Sequence, residues 1–304
     1  MIQRRPNFFV AGAPKCGTTA LFQYLWAHPN VFTPSVKEPT FFADDFPGIR
    51  DPIDTLDKYL DLFSDAGPEH TAIGDASVFH MYSDVAVQNI YNFNPDAKII
   101  LMARNPKELV YSFHSQALYT LNETEKDFEK AWFLQESRRA GKNIPPTCLE
   151  PKFLDYEMIG TIAKYFKKVY EIFPDKQIKI LFMDDLKKDT EAVFRDTLNY
   201  LELQDFKPDS YAVVNAQKAN RSNFIASLSV RPPPPALRRV ASIIKKNLGL
   251  KNVSFRQLLE SLNRDSSKRK PLSPQMISLL QETFVDDIRE LEKLSGRKLE
   301  AWLK

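Results

Sequence analysis

Between Asn7 and Leu21 the chain reads NFFVAGAPKCGTTAL, which puts two glycines, a lysine and two threonines within a few residues of one another. Phe8, Phe9 and Val10 form a short apolar run suited to a strand, and Gly12 and Gly17 interrupt it. Thr18-Thr19 then open a pattern in which Leu21, Tyr24, Leu25 and His28 share one helical face. A strand, a loop and a helix in that order bring a helix N-terminus to the loop. Its first N–H groups lack carbonyl partners and carry the positive end of the helix dipole, so a phosphate-bearing ligand is expected there. Gly17 lets the backbone approach that ligand without an intervening Cβ, and Lys15, Cys16, Gly17, Thr18 and Thr19 are the expected cradle. A magnesium-nucleotide loop, G-x-x-x-x-G-K-[ST], places its lysine directly before the hydroxyl residue that holds the metal. Here Thr18 follows the second glycine and Lys15 lies two residues before it, which does not spell an ATPase loop.

Residues Pro14 to Leu21 match throughout the 5′-phosphosulfate loop P-K-[CSA]-G-T-[TS]-x-L, and the chain resembles the sulfotransferases that use 3′-phosphoadenosine 5′-phosphosulfate (PAPS). Arg104-Asn105-Pro106, with Ser112 further on, resembles the family's second signature R-[ND]-P-x(5)-S. That likeness implies that Arg104 and Ser112 grip the 3′-phosphate, a task suited to a guanidinium fork and a hydroxyl donor. Lys37-Glu38 begins a K-E-x-x-[FY]-F segment which, in the heparan sulfate group, delivers a lysine to the active site; Lys37 is the residue so implied. Asp75 stands where members commonly carry Glu in a G-E-[AKS]-[ST]-P pattern, and the resemblance implies that it removes the acceptor proton. Its side chain is one methylene shorter, and Val78 replaces the proline. His80 is the second candidate base, because imidazole titrates nearest neutral pH, and His114 a third. Members close the nucleotide site with a basic C-terminal loop, to which Arg221 or Lys268-Arg269 would correspond.

The resemblance runs from Phe8 to Trp302 and implies sulfuryl transfer from PAPS to an acceptor hydroxyl on a carbohydrate or small-molecule natural product. The other product is 3′,5′-adenosine bisphosphate, and no metal or nucleic acid is implied. Three alternatives stay open: N-sulfation of an amine, a nucleotide-dependent kinase with a degenerate loop and a magnesium requirement, and a binding module for PAPS or a polyanion. These motifs do not name the acceptor or the oligomeric state.

Apolar runs at Thr71 to Asp75, Lys98 to Arg104 and Gln177 to Met183 read as further buried strands. Helical periodicity covers Thr55 to Phe63, Ser83 to Phe93, Lys126 to Ala140, Tyr156 to Phe173, a capped segment from Asp189 or Thr190, and Ser273 to Leu303 with a stop at Gly296 and Trp302 as an anchor. Pro106 marks another helix start, and GKNIPPTCLEP between two helices is a plausible wall for the acceptor. Strands alternating with helices predict a single α/β domain over 1–304, with a mainly parallel central sheet flanked by helices and a P-loop-like strand-loop-helix at its N-terminus.

The chain has 304 residues, 43% hydrophobic and 12% aromatic, enough for a sizeable core, and its net charge is +3. Two cysteines are too few for a disulfide framework, and the apolar run near the N-terminus is too short for a signal peptide or membrane anchor. A soluble, cytoplasmic protein without a transmembrane segment is therefore expected. Charge is unevenly spread: from Arg231 to Lys270 eleven Lys or Arg stand against two acids. That stretch reads as a polyproline connector and a basic helix from Leu237 to Leu248, and its charge predicts an anionic partner, the cofactor's 3′-phosphate, an anionic polysaccharide, a membrane surface or nucleic acid, with a solvated basic face as the alternative. The segment at about 215–270 is the expected lid or cofactor-closing loop.

Overall fold

Five short apolar runs pair edge to edge as one parallel sheet. The computed structural model describes residues 4–49, 53–211, 219–220, 264–265 and 270–304. The strands are β1 (Phe8–Gly12), β2 (Val31–Phe32), β3 (Ala72–Asp75), β4 (Lys98–Ala103) and β5 (Ile178–Phe182), in the order β2-β3-β1-β4-β5. Every pairing among them is parallel. β1 is buried along its whole length, which explains why it reads as a continuous apolar run and not as an alternation. From β1 the chain builds outward to β3 and β2 on one side and to β4 and β5 on the other. The strand order therefore reverses at β1, and the crevice beyond its carboxyl end is where open α/β sheets receive ligands.

The helices are α1 (Thr18–Trp26), α2 (Leu56–Asp61), α3 (Ala86–Phe93), α4 (Pro106–Tyr119), α5 (Phe128–Phe133), α6 (Gln135–Arg139), α7 (Tyr156–Gly160), α8 (Ile162–Ile172), α9 (Met183–Lys188), α10 (Thr190–Tyr200) and α11 (Pro274–Ser295). Asp189 caps α10 by accepting from the Ala192 amide, as the sequence predicts. Two predicted helices differ. The segments 126–140 and 156–173 each divide, at Leu134 and at Thr161, although the apolar period runs through both breaks. At the second break the Asp287 carboxylate accepts from the amides of Ala163 and Lys164, giving α8 its own N-terminal cap. The last helix stops at Gly296 as the sequence predicts, its φ of 65° being the left-handed turn that ends a helix, and a short 3₁₀ turn from Glu300 to Trp302 follows.

The chain divides into two compact units. The first takes residues 1–110, 157–215 and 273–304 and contains the five-stranded sheet. In it Trp302 Nε1 donates to Asp184, and the Arg297 guanidinium holds Asp185, so the C-terminal turn is tied to α9. The second takes residues 111–156 and 216–272. Its core is a buried ion pair in which Arg138 donates to both oxygens of Glu123 at 2.7 and 2.8 Å, with the Tyr156 hydroxyl donating at 2.6 Å. A two-residue antiparallel pairing of Ala219–Asn220 with Arg264–Asp265 also belongs to it. The remainder of the expected closing segment, including the polyproline run and the helix 237–248, lies outside the described residues.

Gly74 in β3 shows how tightly the sheet centre is filled, since a Cβ there would lie 2.1 Å from Phe8 Cζ, and Phe8 is 1% exposed. Gly74→Ala is expected to lower the unfolding free energy by about 1–3 kcal/mol through overpacking. Urea titration checks this; an unchanged midpoint would contradict the packing described.

Candidate active site

The loop after β1 is anchored at its start by the Ala13 amide, which donates to the Met102 carbonyl of β4 at 2.9 Å. Lys15 has a φ of 63° and Gly17 a φ of 93°, so the chain doubles back before entering α1. Gly17 is also closely packed. A Cβ there would sit 2.7 Å from Leu186 Cδ2 and 3.0 Å from Met183 Sδ on α9. Gly17 is the N-cap of α1 and no side chain caps that helix, which leaves its first amides to a ligand. Cys16 is fully buried, donates to the Pro14 carbonyl, and has its thiol pushed up to about 12 by that burial. It is a packing residue of the loop, held as a neutral thiol.

Lys37 is brought to this helix start. Its Nζ donates to Thr19 Oγ1 at 2.9 Å and to Glu38 Oε1 at 2.6 Å. The turn that delivers it is unusual, because Glu38 and Thr40 both have left-handed φ values, 61° and 52°. Non-glycine residues held this way cost about 1–3 kcal/mol each and gather at functional sites. The Glu38 side chain is 29% exposed beside the loop. Reading the sequence for the lysine alone missed this carboxylate, although the Lys37-Glu38 pair was itself the signal.

The expected bases are placed differently. Asp75 does end β3 beside β1, where it pairs with Phe9, but its carboxylate has no exposed surface. Oδ1 accepts from Ser77 Oγ at 2.7 Å and Oδ2 from the Tyr59 hydroxyl at 2.8 Å. With both oxygens engaged and no exposed surface, Asp75 is placed as an organiser of its surroundings and not as the open base expected of it. His80 is also fully buried; neither ring nitrogen has a partner, and burial lowers it to about 3, so it stays neutral against Phe42. His114 is 2% exposed, has a ring nitrogen 2.8 Å from the Glu125 carbonyl, and packs on Phe128 and Tyr156, all in the second unit. His80, sealed and neutral, is not open to take a proton from a ligand.

Arg104 follows β4 and reaches the loop, its NH1 donating to the Lys15 carbonyl at 3.0 Å. Its Nε and NH2 both donate to Glu108 Oε2, and Lys187 donates to the same oxygen at 3.3 Å. Burial raises Glu108, but Arg104 and Lys187 outweigh it and hold the carboxyl below its usual range. A guanidinium already shaped around one anionic oxygen suits a phosphate oxygen equally. Lys187 and Glu108 were not anticipated from sequence, because nothing in their spacing links β5–α9 to α4. Ser112 is buried in the second turn of α4 and falls in the second unit, whereas Arg104 falls in the first. Arg221, Lys268 and Arg269 lie outside the described residues. Among the described residues no group of three or more His, Cys, Asp or Glu side chains could hold a metal ion, and no helix is long and apolar enough to cross a membrane.

A family model described as sulfotransferase domain matches residues 5–230. Carbohydrate sulfotransferase 15 of Rattus norvegicus is 25% identical over 307 residues, an alignment spanning 84% of this chain and 53% of that protein. Bifunctional heparan sulfate N-deacetylase/N-sulfotransferase 3 of Homo sapiens is 26% identical over 204 residues, spanning 65% of this chain and 22% of that protein. The chain thus covers about half the length of the first relative and less of the second. The crystal structure of a sulfotransferase from Alicyclobacillus acidocaldarius superposes with a TM-score of 0.71 at 26% identity, covering 99% of this chain and all of that one.

The burial of Asp75 has a measurable signature. Desolvation raises it from 3.8 to about 6, against the bonds from Ser77 and Tyr59. The folded chain therefore holds this proton more tightly than the unfolded chain, which favours folding below the unfolded value and loses that contribution as pH rises through about 6. The stability of the wild type relative to Asp75→Asn should fall by about 3 kcal/mol between pH 3.5 and 7, with Asp287 cancelling because both proteins carry it. Urea unfolding of both across that range checks this, and parallel curves would contradict it.

Proposed function

Because the chain belongs to the sulfotransferase-domain family, we propose that it transfers the sulfuryl group of PAPS to an acceptor hydroxyl, with Glu38 as the base. The observation that carries this reading is the meeting of Lys37 and Glu38 with Thr19 at the uncapped start of α1. The donor set suits PAPS: open helix amides and Lys15 for the phosphosulfate, and Arg104 for the 3′-phosphate. When bound, PAPS supplies an activated sulfuryl group whose bridging oxygen gains negative charge as it leaves.

Sulfuryl transfer asks the protein for alignment and for positive charge at that oxygen. Lys15 and the first amides of α1 provide that charge without reorganising. Lys37 ties the Thr19 hydroxyl to the Glu38 carboxylate, so donor site and base are held in one geometry. Glu38 is the accessible carboxylate of this cluster, whereas Asp75 is sealed. It accepts the hydroxyl proton as the acceptor oxygen attacks sulfur.

The relatives' names support a carbohydrate acceptor, and a small-molecule hydroxyl remains within the same proposal. An amine acceptor is the second reading, favoured by relatives named as N-sulfotransferases. The proposal also keeps the chain as one catalytic domain. A cytoplasmic location belongs to it too, supported by two cysteines that are both free thiols.

Calorimetry with 3′,5′-adenosine bisphosphate tests the cofactor side: Arg104→Ala is expected to weaken binding by about 2–4 kcal/mol, as losing a charge-assisted partner does. Tighter binding of ATP with magnesium than of the bisphosphate would overturn the reading. For the chemical step, Glu38→Gln should keep bisphosphate affinity within about twofold while lowering turnover roughly 100- to 10,000-fold. Lys15→Ala should lower turnover about 100-fold or more through loss of one preorganised donor. Full turnover in Glu38→Gln would remove Glu38 from the role.

A further inference from the structure

The left-handed turn that carries Lys37 and Glu38 has no regular secondary structure to hold it, yet two of its residues occupy backbone conformations that side chains disfavour. Something outside the turn must over-determine it. The Thr40 amide donates to Ser77 Oγ at 3.0 Å, and Ser77 Oγ donates in turn to Asp75 Oδ1 at 2.7 Å. Thr40 Oγ1 donates back to the Glu38 carbonyl at 3.0 Å, so the chain of bonds runs from the Asp75 carboxylate to Glu38 itself. The other carboxylate oxygen accepts from Tyr59, whose ring stacks on Phe41 with centroids 4.6 Å apart and an interplanar angle of 12°. Asp75, Ser77 and Tyr59 have no exposed surface, and Thr40 is 2% exposed. All of these residues lie in the first unit.

We propose that Asp75 is a positioning residue, holding the Lys37-Glu38 turn against the start of α1 through Ser77 and Thr40 on one side and through Tyr59 and Phe41 on the other. The role rests on the reading of Glu38 as base, and it assigns a second task to a residue whose burial bars it from touching substrate. Bonds between buried groups are strong and costly to break, which is what a strained turn needs from its support. Ser77 is the critical intermediary, because one hydroxyl both donates to Asp75 and accepts from Thr40. Tyr59 acts through its ring as well as its hydroxyl, by way of the stack on Phe41. Asp75 thus fixes residues 38 to 41 from both ends without reaching the ligand.

The test uses the full chain and three variants, Ser77→Ala, Ser77→Thr and Tyr59→Phe, with two readouts. Hydrogen exchange at the Thr40 amide reports the support directly and needs no catalytic activity; Ser77→Ala should speed it about tenfold or more while exchange in β1 and β4 is unchanged. Ser77→Ala should also lower kcat about tenfold or more through misplacement of Glu38, with bisphosphate affinity held within about twofold. Ser77→Thr should restore both quantities, and Tyr59→Phe should lower kcat with bisphosphate affinity unchanged. Unaltered Thr40 exchange in Ser77→Ala would overturn the proposal. So would an Asp75→Asn protein without turnover beside Ser77→Ala and Tyr59→Phe proteins with wild-type turnover, since that pattern belongs to a base. If the wild type transfers no sulfuryl group, the reading of function fails while the exchange result still decides whether Asp75 supports the turn.

Discussion

The account depends on the exposed positive end of one short helix. α1 begins at Gly17 with no side-chain cap, at the centre of a parallel sheet and beyond the carboxyl end of its most buried strand. A helix start left open in this way favours a bound anion. Every other feature of the site is placed in relation to it. β4 ties the loop down through Met102, α9 closes over Gly17 through Leu186 and Met183, Arg104 braces the Lys15 carbonyl, and Lys37 reaches Thr19 from another part of the chain. The cost of the positive-φ residues at 15, 38 and 40 is borne so that these donors converge.

Carboxylates near the loop divide by exposure. Asp75 is sealed and bonded at both oxygens, so its charge is committed to internal hydroxyls. Glu38 lies beside the loop with open surface and a lysine partner. Glu108 holds Arg104 and Lys187 where an anionic oxygen of a ligand would also fit. Burial alone therefore separates an organiser from a reactive group and from a placeholder, although all three have the same functional group.

The cradle and the sheet were legible in the sequence because they rest on local signals. The run from Phe8 to Val10 and those ending at Asp75, Ala103 and Phe182 are strands, and Thr18 opens α1 where the glycine and hydroxyl pattern puts it. β2 was not legible, since two residues carry no period. The helix breaks at Leu134 and Thr161 were hidden because the apolar spacing continues across them, and the second is set by Asp287 far along the chain. The burial of Asp75 depends on Tyr59 and Ser77, and periodicity places Tyr59 on a helix face without revealing what its hydroxyl meets. Glu38 needed the left-handed turn to be seen. The turn's conformation is supported from Ser77, which no local pattern around residue 38 announces.

Transfer of labelled sulfur tests the central claim most directly. The protein is incubated with PAPS carrying radioactive sulfur and a panel of polysaccharide and small-molecule acceptors, without and with magnesium. The account predicts label on a hydroxyl-bearing acceptor, with adenosine bisphosphate released in equal amount and no dependence on added metal. Absence of sulfur transfer to every acceptor, together with phosphate transfer from labelled ATP only when magnesium is present, would contradict it.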